Sequence, residues 1–312
     1  MMDGKNFLSV ADVSEADLRK LLESAIALKA AARKGRQDRC LAGKQLGLIF
    51  EKPSMRTRIS FESGMVQLGG YAVFIGQEIG RLGVRDPIRD LARITSSYLD
   101  ALAVRTFSHD ILEELAREAS IPVINALSDY LHPCQALADL MTVTEAFGKP
   151  DGAVIAFIGD GNNVARSLAR AAAMTKAVFR IASPEGYALD DAFVEALSKD
   201  YPDAVERFRD PNEAVEGADV LYTDSWISMG QEAEQEKRER AFRDYQINEA
   251  LLARAKKTAI VMHCLPAYRG KEITAAAADS PQSVIYQQAE NRLHTQKALL
   301  KELLTRGGTG DE

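Results

Sequence analysis

From residue 44 onward, short apolar runs alternate with longer segments whose apolar side chains recur at helical spacing. QLGLIF at 45–50 is followed by a helical pattern from about Met55, YAVFI by one from about Pro87, ALAVRTF by one from about Ile111, and IPVINAL by one from about Pro133. Strand then helix, repeated, is the pattern of a parallel sheet with covered faces, since each parallel crossover needs a helix-length connection. Ahead of it, Ser14 precedes apolar positions Leu18, Leu21, Leu22, Ala25 and Ile26, which predicts an N-capped opening helix that stops near Gly35.

The rhythm restarts after Lys149, Pro150, Asp151 and Gly152 with AVIAFIG, then AVFRIAS, VLYTD, TAIVMHC and SVIYQ, each read as a strand. The expected architecture is therefore α/β: two domains, 1–149 and 150–288, each with a central, mainly parallel sheet flanked by helices. A helical stretch at about 289–304 is expected to pack back onto the first domain. The most charged stretch, 231–243, reads as a solvated loop or helix face; its position after Ser228, Met229 and Gly230 keeps open a mobile flap over a site.

Composition changes this picture little. At 312 residues and 46% hydrophobic content there is material for two cores, and a net charge of −6 gives no electrostatic case for nucleic acid or an anionic membrane. Any anion site must then be local. The N-terminal MMDGKNFLSVADVSEADL has neither an apolar leader nor an Arg-rich presequence, and no run of about 18 apolar residues follows, so a soluble cytoplasmic protein is expected. Cys40, Cys134 and Cys264 are too few and too scattered for a disulfide framework or a cysteine-rich zinc site.

Candidate chemistry gathers where strands end. In IFEKPSMRTRISFE, the residues Ser54, Met55, Arg56 and Thr57 fall at a strand-to-helix turn, where free backbone N–H groups, the helix dipole, two hydroxyls and a guanidinium favour a phosphate. A capping serine beside surface arginines accounts for the same residues equally well. Arg105 ends the apolar run ALAVRTF, an awkward place for an arginine unless it emerges at the ligand-bearing edge of the sheet. His132 and Gln135 flank Pro133 at another such turn, and Arg292 in QQAENR reads, on pattern alone, as a surface helix residue. In the second half, Asp224 ends VLYTD and is followed by Ser228, Met229 and Gly230, a grouping that could hold an ammonium and a carboxylate together; alone, the Asp would be read as a strand-end cap. GDGNN at 159–163 lacks the third glycine of a dinucleotide fingerprint, which leaves a nicotinamide oxidoreductase as a distant alternative. His263 and Cys264 in HCLPA have no partners at zinc-ligand spacing.

Taken together these segments resemble the aspartate and ornithine carbamoyltransferases, over about residues 7–304. SMRTR after FEKP is similar to the family's Ser-Thr-Arg-Thr-Arg phosphate loop, with Met55 in place of the usual Thr; HPCQ resembles its His-Pro-x-Gln motif, QQAENR its late Glu-Asn-Arg segment and HCLPA its His-Cys-Leu-Pro motif. D-x-x-x-S-M-G at 224–230 is similar to the ornithine-binding signature that the aspartate branch lacks. The resemblance implies that Ser54, Met55, Arg56, Thr57, Arg105, His132, Gln135, Cys264, Leu265 and Arg292 hold carbamoyl phosphate, that Asn163, Asp224, Ser228 and Met229 hold ornithine, and that Arg105, His132, Cys264 and Asp224 carry the catalysis. It further implies no metal, no organic cofactor and a homotrimer or a multiple of it. The stretch Arg81–Pro87 departs from the family's Gln-Leu-Gly-x-x-Glu-Ser, which puts an intersubunit contribution in doubt. An acceptor other than free ornithine, or an idle paralogue that only binds carbamoyl phosphate, are the rival readings.

Overall fold

A computed structural model describes residues 6–76, 81–227, 230 and 232–305. The chain divides into two compact units: the chain up to Met141 together with that from Glu290 onward, and Thr142–Ala289. The division thus falls inside a helix, a few residues ahead of the Lys149–Gly152 punctuation.

In the first unit, β1 (Gln45–Phe50), β2 (Tyr71–Ile75), β3 (Ala101–Arg105) and β4 (Val123–Leu127) form a parallel sheet in the order β2-β1-β3-β4. Helix α1 (Glu15–Arg33) precedes it, capped as anticipated by the Ser14 hydroxyl accepting from the Asp17 N–H. The crossovers carry α2 (Met55–Gln67), α3 (Ile88–Tyr98) and α4 (His109–Glu118), and α5 (Pro133–Phe147) leaves β4. Because every residue of β3 is buried, its sequence is a continuous apolar run that only Arg105 interrupts, at the end. A register shift against β4 between Val104 and Arg105 sets that arginine apart from the regular ladder.

In the second unit, β5 (Val154–Ile158), β6 (Val178–Ala182), β7 (Val205–Phe208), β8 (Val220–Thr223) and β9 (Ile260–His263) form a parallel sheet in the order β7-β6-β5-β8-β9. Alternate residues of β5 feed two separate cores: Ile155 and Phe157 pack with α6 (Asn163–Met174) and α7 (Asp191–Asp200), while Ala156 and Ile158 pack with α8 (Pro211–Val215), α10 (Glu249–Leu252) and α11 (Ala275–Ala278). Between β8 and α10 lies α9 (Gln235–Phe242), and the chain ends in α12 (Ile285–Leu304).

Two strand expectations change. SVIYQ is not a strand: Ser283 makes an isolated bridge to Val261, the Val284 N–H reaches the Val261 carbonyl, and Ile285 then opens α12. Three apolar residues cannot separate strand from helix, and the apolar positions that follow are at helical spacing. Conversely, β7 (VERF) is a strand with no apolar run, because it lies at the sheet edge where its Glu206 and Arg207 face solvent.

The charged run 231–243 is largely helical in α9, and its polar face is solvated as expected. Its Arg238 and Phe242, however, are buried. Gln231 lies outside the described residues, as do Ser228 and Met229.

The glycine pattern at 159–163 has a packing cause. A β-carbon on Gly161 would lie 2.3 Å from the Leu189 nitrogen and 2.4 Å from the Ala188 carbonyl carbon, backbone atoms that cannot rotate away. Gly161→Ala is expected to destabilise the fold by about 2 kcal/mol or more, read as a lower urea midpoint; an unchanged midpoint would contradict the close approach.

Candidate active site

Both sheets have a switch point, where the connections leave in opposite directions: between β1 and β3 in the first unit and between β5 and β8 in the second. In open α/β sheets the crevice at the carboxyl ends of those strands is where ligands bind. Among the described candidates, Ser54, Arg105 and His132 end or follow strands of the first sheet, and Asn163, Asp224 and Cys264 follow strands of the second.

In the first unit, β1 runs into the N-terminus of α2, where Ser54 caps the helix by accepting from the Thr57 N–H and donates to the Thr57 hydroxyl at 3.0 Å. Thr57 is wholly buried and also accepts from Arg292 Nη2 at 2.7 Å. Arg292 Nη1 donates to the Gln135 side-chain oxygen Oε1 at 3.0 Å, and the Gln135 side-chain amide donates to Asp139 at 2.8 Å. Arg292 is therefore not the surface residue its pattern suggested; it is 4% exposed and ties α12 to α2 and α5. His132, just before α5, is buried, whereas Met55 is 69% exposed.

The electrostatics of this cluster are one-sided. Burial first, then Arg292 and Arg56, push the Arg105 guanidinium down to about 9, with Asp129 opposing. Asp129 is itself engaged by the Lys52 ammonium. His132 is held well below the usual histidine range by burial and by Arg292, Arg105 and Arg56, so at neutral pH its imidazole is neutral. Arg105 Nε is buried with no hydrogen-bond partner among the described residues. Three guanidiniums and a neutral imidazole beside a helix N-terminus make a site whose charge calls for an anion.

In the second unit, Asp224 at the end of β8 is the hub. Its carboxylate accepts from the Asn162 amide at 2.9 Å, the Ser225 N–H at 2.7 Å and the Cys264 thiol at 3.0 Å. Asn162 also caps α6, its side-chain oxygen accepting from the Val164 and Ala165 N–H groups. Asn163, the residue singled out from the sequence, is the next position along. Cys264 and Leu265 follow β9, the latter in the left-handed region at φ 60°. Asp224, His263 and Cys264 offer metal-ligand atoms within 4.8 Å of one another, a cluster that sequence spacing did not reveal. Both imidazole nitrogens of His263 are engaged, however, by the Leu265 N–H and by Glu272, which leaves two donor groups where catalytic zinc uses three.

Sequence reasoning also missed Asp160 and Arg238. Arg238 donates to Asp160 and to the Trp226 carbonyl, with its guanidinium 4.8 Å from the Tyr187 ring and 5.4 Å from that of Phe242. Burial raises the Asp160 carboxyl and Arg238 opposes this, while Asp224 pushes it further up. With Arg238 pairing Asp160, Asp224 is the carboxylate left to meet a cation at this edge. The usable signal was Phe242, four positions after Arg238, which gives the charged run an anchoring side.

Comparison with known proteins now places the chain. Residues 5–145 match the model for the aspartate/ornithine carbamoyltransferase carbamoyl-P binding domain, and residues 151–303 that for the Asp/Orn binding domain. The chain belongs to the aspartate/ornithine carbamoyltransferase family. Within it, the ornithine carbamoyltransferase of Syntrophus aciditrophicus is 53% identical, covering 96% of this chain and 99% of that protein, and that of Bacillus subtilis is 49% identical over 97% and 95%. The structure of the Pyrococcus furiosus ornithine carbamoyltransferase superposes with a TM-score of 0.93 at 44% identity, covering 98% of each chain.

Proposed function

We infer that this chain transfers the carbamoyl group of carbamoyl phosphate to the side-chain amine of L-ornithine, giving L-citrulline and phosphate. Full-length relatives of that name support the reading, and the observation that carries it is Asp224, a carboxylate paired with the Cys264 thiol at the second unit's switch point. The direct test is release of citrulline and phosphate in equal amounts from carbamoyl phosphate plus ornithine. Absence of turnover would favour the idle paralogue.

In this reading Ser54, the Met55 N–H, Arg56 and Thr57 receive the phosphate, with Arg105 and Arg292 adding charge, while Gln135 and the Leu265 backbone hold the carbamoyl amide. Asn163, Asp224, Ser228 and Met229 hold ornithine. An alkyl ammonium has a pKa of about 10.4 and must lose a proton before it can attack; Asp224 receives it directly, or through the Cys264 thiol, which passes its own proton to Asp224 as it accepts that of the ammonium. The neutral amine then adds to the carbonyl carbon, the oxyanion meets Arg105, His132 and the Thr57 hydroxyl, and the bond to phosphate breaks as the departing phosphate takes the second proton from the amine nitrogen. His132, being neutral, acts as a hydrogen-bond donor rather than an acid.

A titration follows from Arg105. A dianion binds the protonated guanidinium, whose value in the free protein is about 9. Affinity for a phosphonate analogue of carbamoyl phosphate is expected to hold below that pH and to fall about tenfold per unit above it; calorimetry across pH 7.5–10.5 reads this, and a flat profile would contradict it.

Self-association is part of the proposal. Ile59 and Val66 of α2, Tyr71 and Val73 of the edge strand β2, and Ile94 and Tyr98 of α3 are exposed apolar residues on the first unit, more than a solitary α/β unit usually leaves in water. They suit the homotrimer that the resemblance implies, and light scattering gives its mass. No described helix is long and apolar enough to cross a membrane, and we place the protein in the cytoplasm.

A further inference from the structure

Cys264 and Leu265 sit on a turn held in part by groups to which the proposed reaction assigns no contact with either substrate. Leu265 has φ 60°, a left-handed conformation that a branched L side chain adopts only when its surroundings impose it. One contact that holds it is local: the Leu265 N–H donates to His263 Nδ1 at 2.9 Å, two residues back. For Nδ1 to accept, the ring proton must reside on Nε2. There Glu272 Oε1 lies 3.0 Å away and accepts it, and the same oxygen accepts from the Tyr268 N–H at 2.5 Å beyond the turn. His263 and Glu272 are each 1% exposed, and the His263 backbone N–H is held by Gln288, so the ring has no freedom to drift.

The geometry points to His263, locked in one tautomer by Glu272, as a positioning residue for carbamoyl transfer: it sets the Leu265 backbone, and through it the aim of the Cys264 thiol at Asp224. This rests on the functional reading above. The physical basis is that misplacing a reacting group by about an ångström costs about 100-fold in rate, and the His263 side chain bonds the residue directly after Cys264.

Two substitutions separate the two ring contacts. In His263→Asn, the amide oxygen occupies the place of Nδ1 and can still accept from Leu265, while Glu272 loses its donor. In His263→Gln, the longer amide reaches Glu272 but offers Leu265 nothing. The expected result is that His263→Asn, although the less stable of the two because it leaves the buried Glu272 without its donor, keeps kcat within about fivefold of wild type, while His263→Gln loses about 100-fold in kcat and binds carbamoyl phosphate more weakly because the Leu265 backbone is displaced. The rate at which iodoacetamide alkylates Cys264 should follow kcat across the pair. Equal losses in both variants, or kcat falling only in step with the melting temperature, would overturn the positioning role.

Should neither variant fold, imidazole nitrogen spectra of the wild-type enzyme still decide: a proton on Nδ1 of His263 overturns the proposal, and a proton on Nε2 supports it. Asp224→Asn serves as the control on the underlying reading. If that variant is inactive and wild type makes citrulline, a failure at His263 removes the positioning role alone.

Discussion

Replacing Arg105 by methionine is expected to abolish turnover and, at the same time, to make the folded protein more stable. The activity loss follows from position: Arg105 ends β3 at the switch point, beside Arg56 and Arg292, with a buried Nε that no described residue engages. Removing one such preorganised donor costs on the order of 10²–10³ in kcat, and loss of a phosphate contact adds to that in kcat/KM. The stability gain follows from the sign of the titration. The folded-state value, about 9, lies below the unfolded one, so the unfolded chain binds this proton more tightly. The penalty is complete below pH 9 and fades as pH rises beyond it. Methionine fills similar volume without charge, so at pH 7 a net gain of roughly 1–3 kcal/mol is expected after some packing is lost. Thermal unfolding together with kinetics checks both halves; a lower melting temperature would mean that Arg105 is structural and that the anion reading of this cluster is wrong.

Asp224→Asn is expected to remove at least about 10³-fold from kcat/KM for ornithine while leaving the binding of a carbamoyl phosphate analogue unchanged. Asparagine has the shape of aspartate but not its charge. Its own N–H₂ would face the Asn162 amide or the Cys264 thiol, both donors to the carboxylate. The ammonium thus loses its counter-charge and the thiol its acceptor together. The anion cluster belongs to the other unit, built from α2, β3, α5 and α12. A parallel loss of analogue affinity would show that the two sites cannot be treated as separate.

What the sequence disclosed, and what it hid, divides along the range of the interactions. The strand-helix alternation was legible because parallel strands buried on both faces must be apolar runs, and β1, β3, β5 and β9 are such runs. Edge strand β7 was hidden because nothing buries its Glu206 and Arg207. Ser54 and Asp224 stood out because helix caps and strand ends are local signals. Arg292 did not, since its burial depends on Thr57 and Gln135, 235 and 157 residues away in sequence. Asn162, Arg238 and Glu272 were invisible for the same reason: each works through a partner that only the fold supplies, and a charged residue without its partner reads as surface. Gly161 was seen but left without a role, because a glycine needed for the close approach of Ala188 and Leu189 looks in sequence like an incomplete dinucleotide fingerprint.

The central claim is that the second unit selects free ornithine, and initial rates with ornithine, N-acetylornithine, putrescine and aspartate, each supplied with saturating carbamoyl phosphate, test it most directly. Turnover is expected with ornithine and little or none with the other three, because the proposed site takes a free α-ammonium and an α-carboxylate beside the reacting side-chain amine: putrescine lacks the carboxylate, N-acetylornithine the free α-ammonium and aspartate the side-chain amine. Comparable turnover with putrescine or aspartate would contradict it.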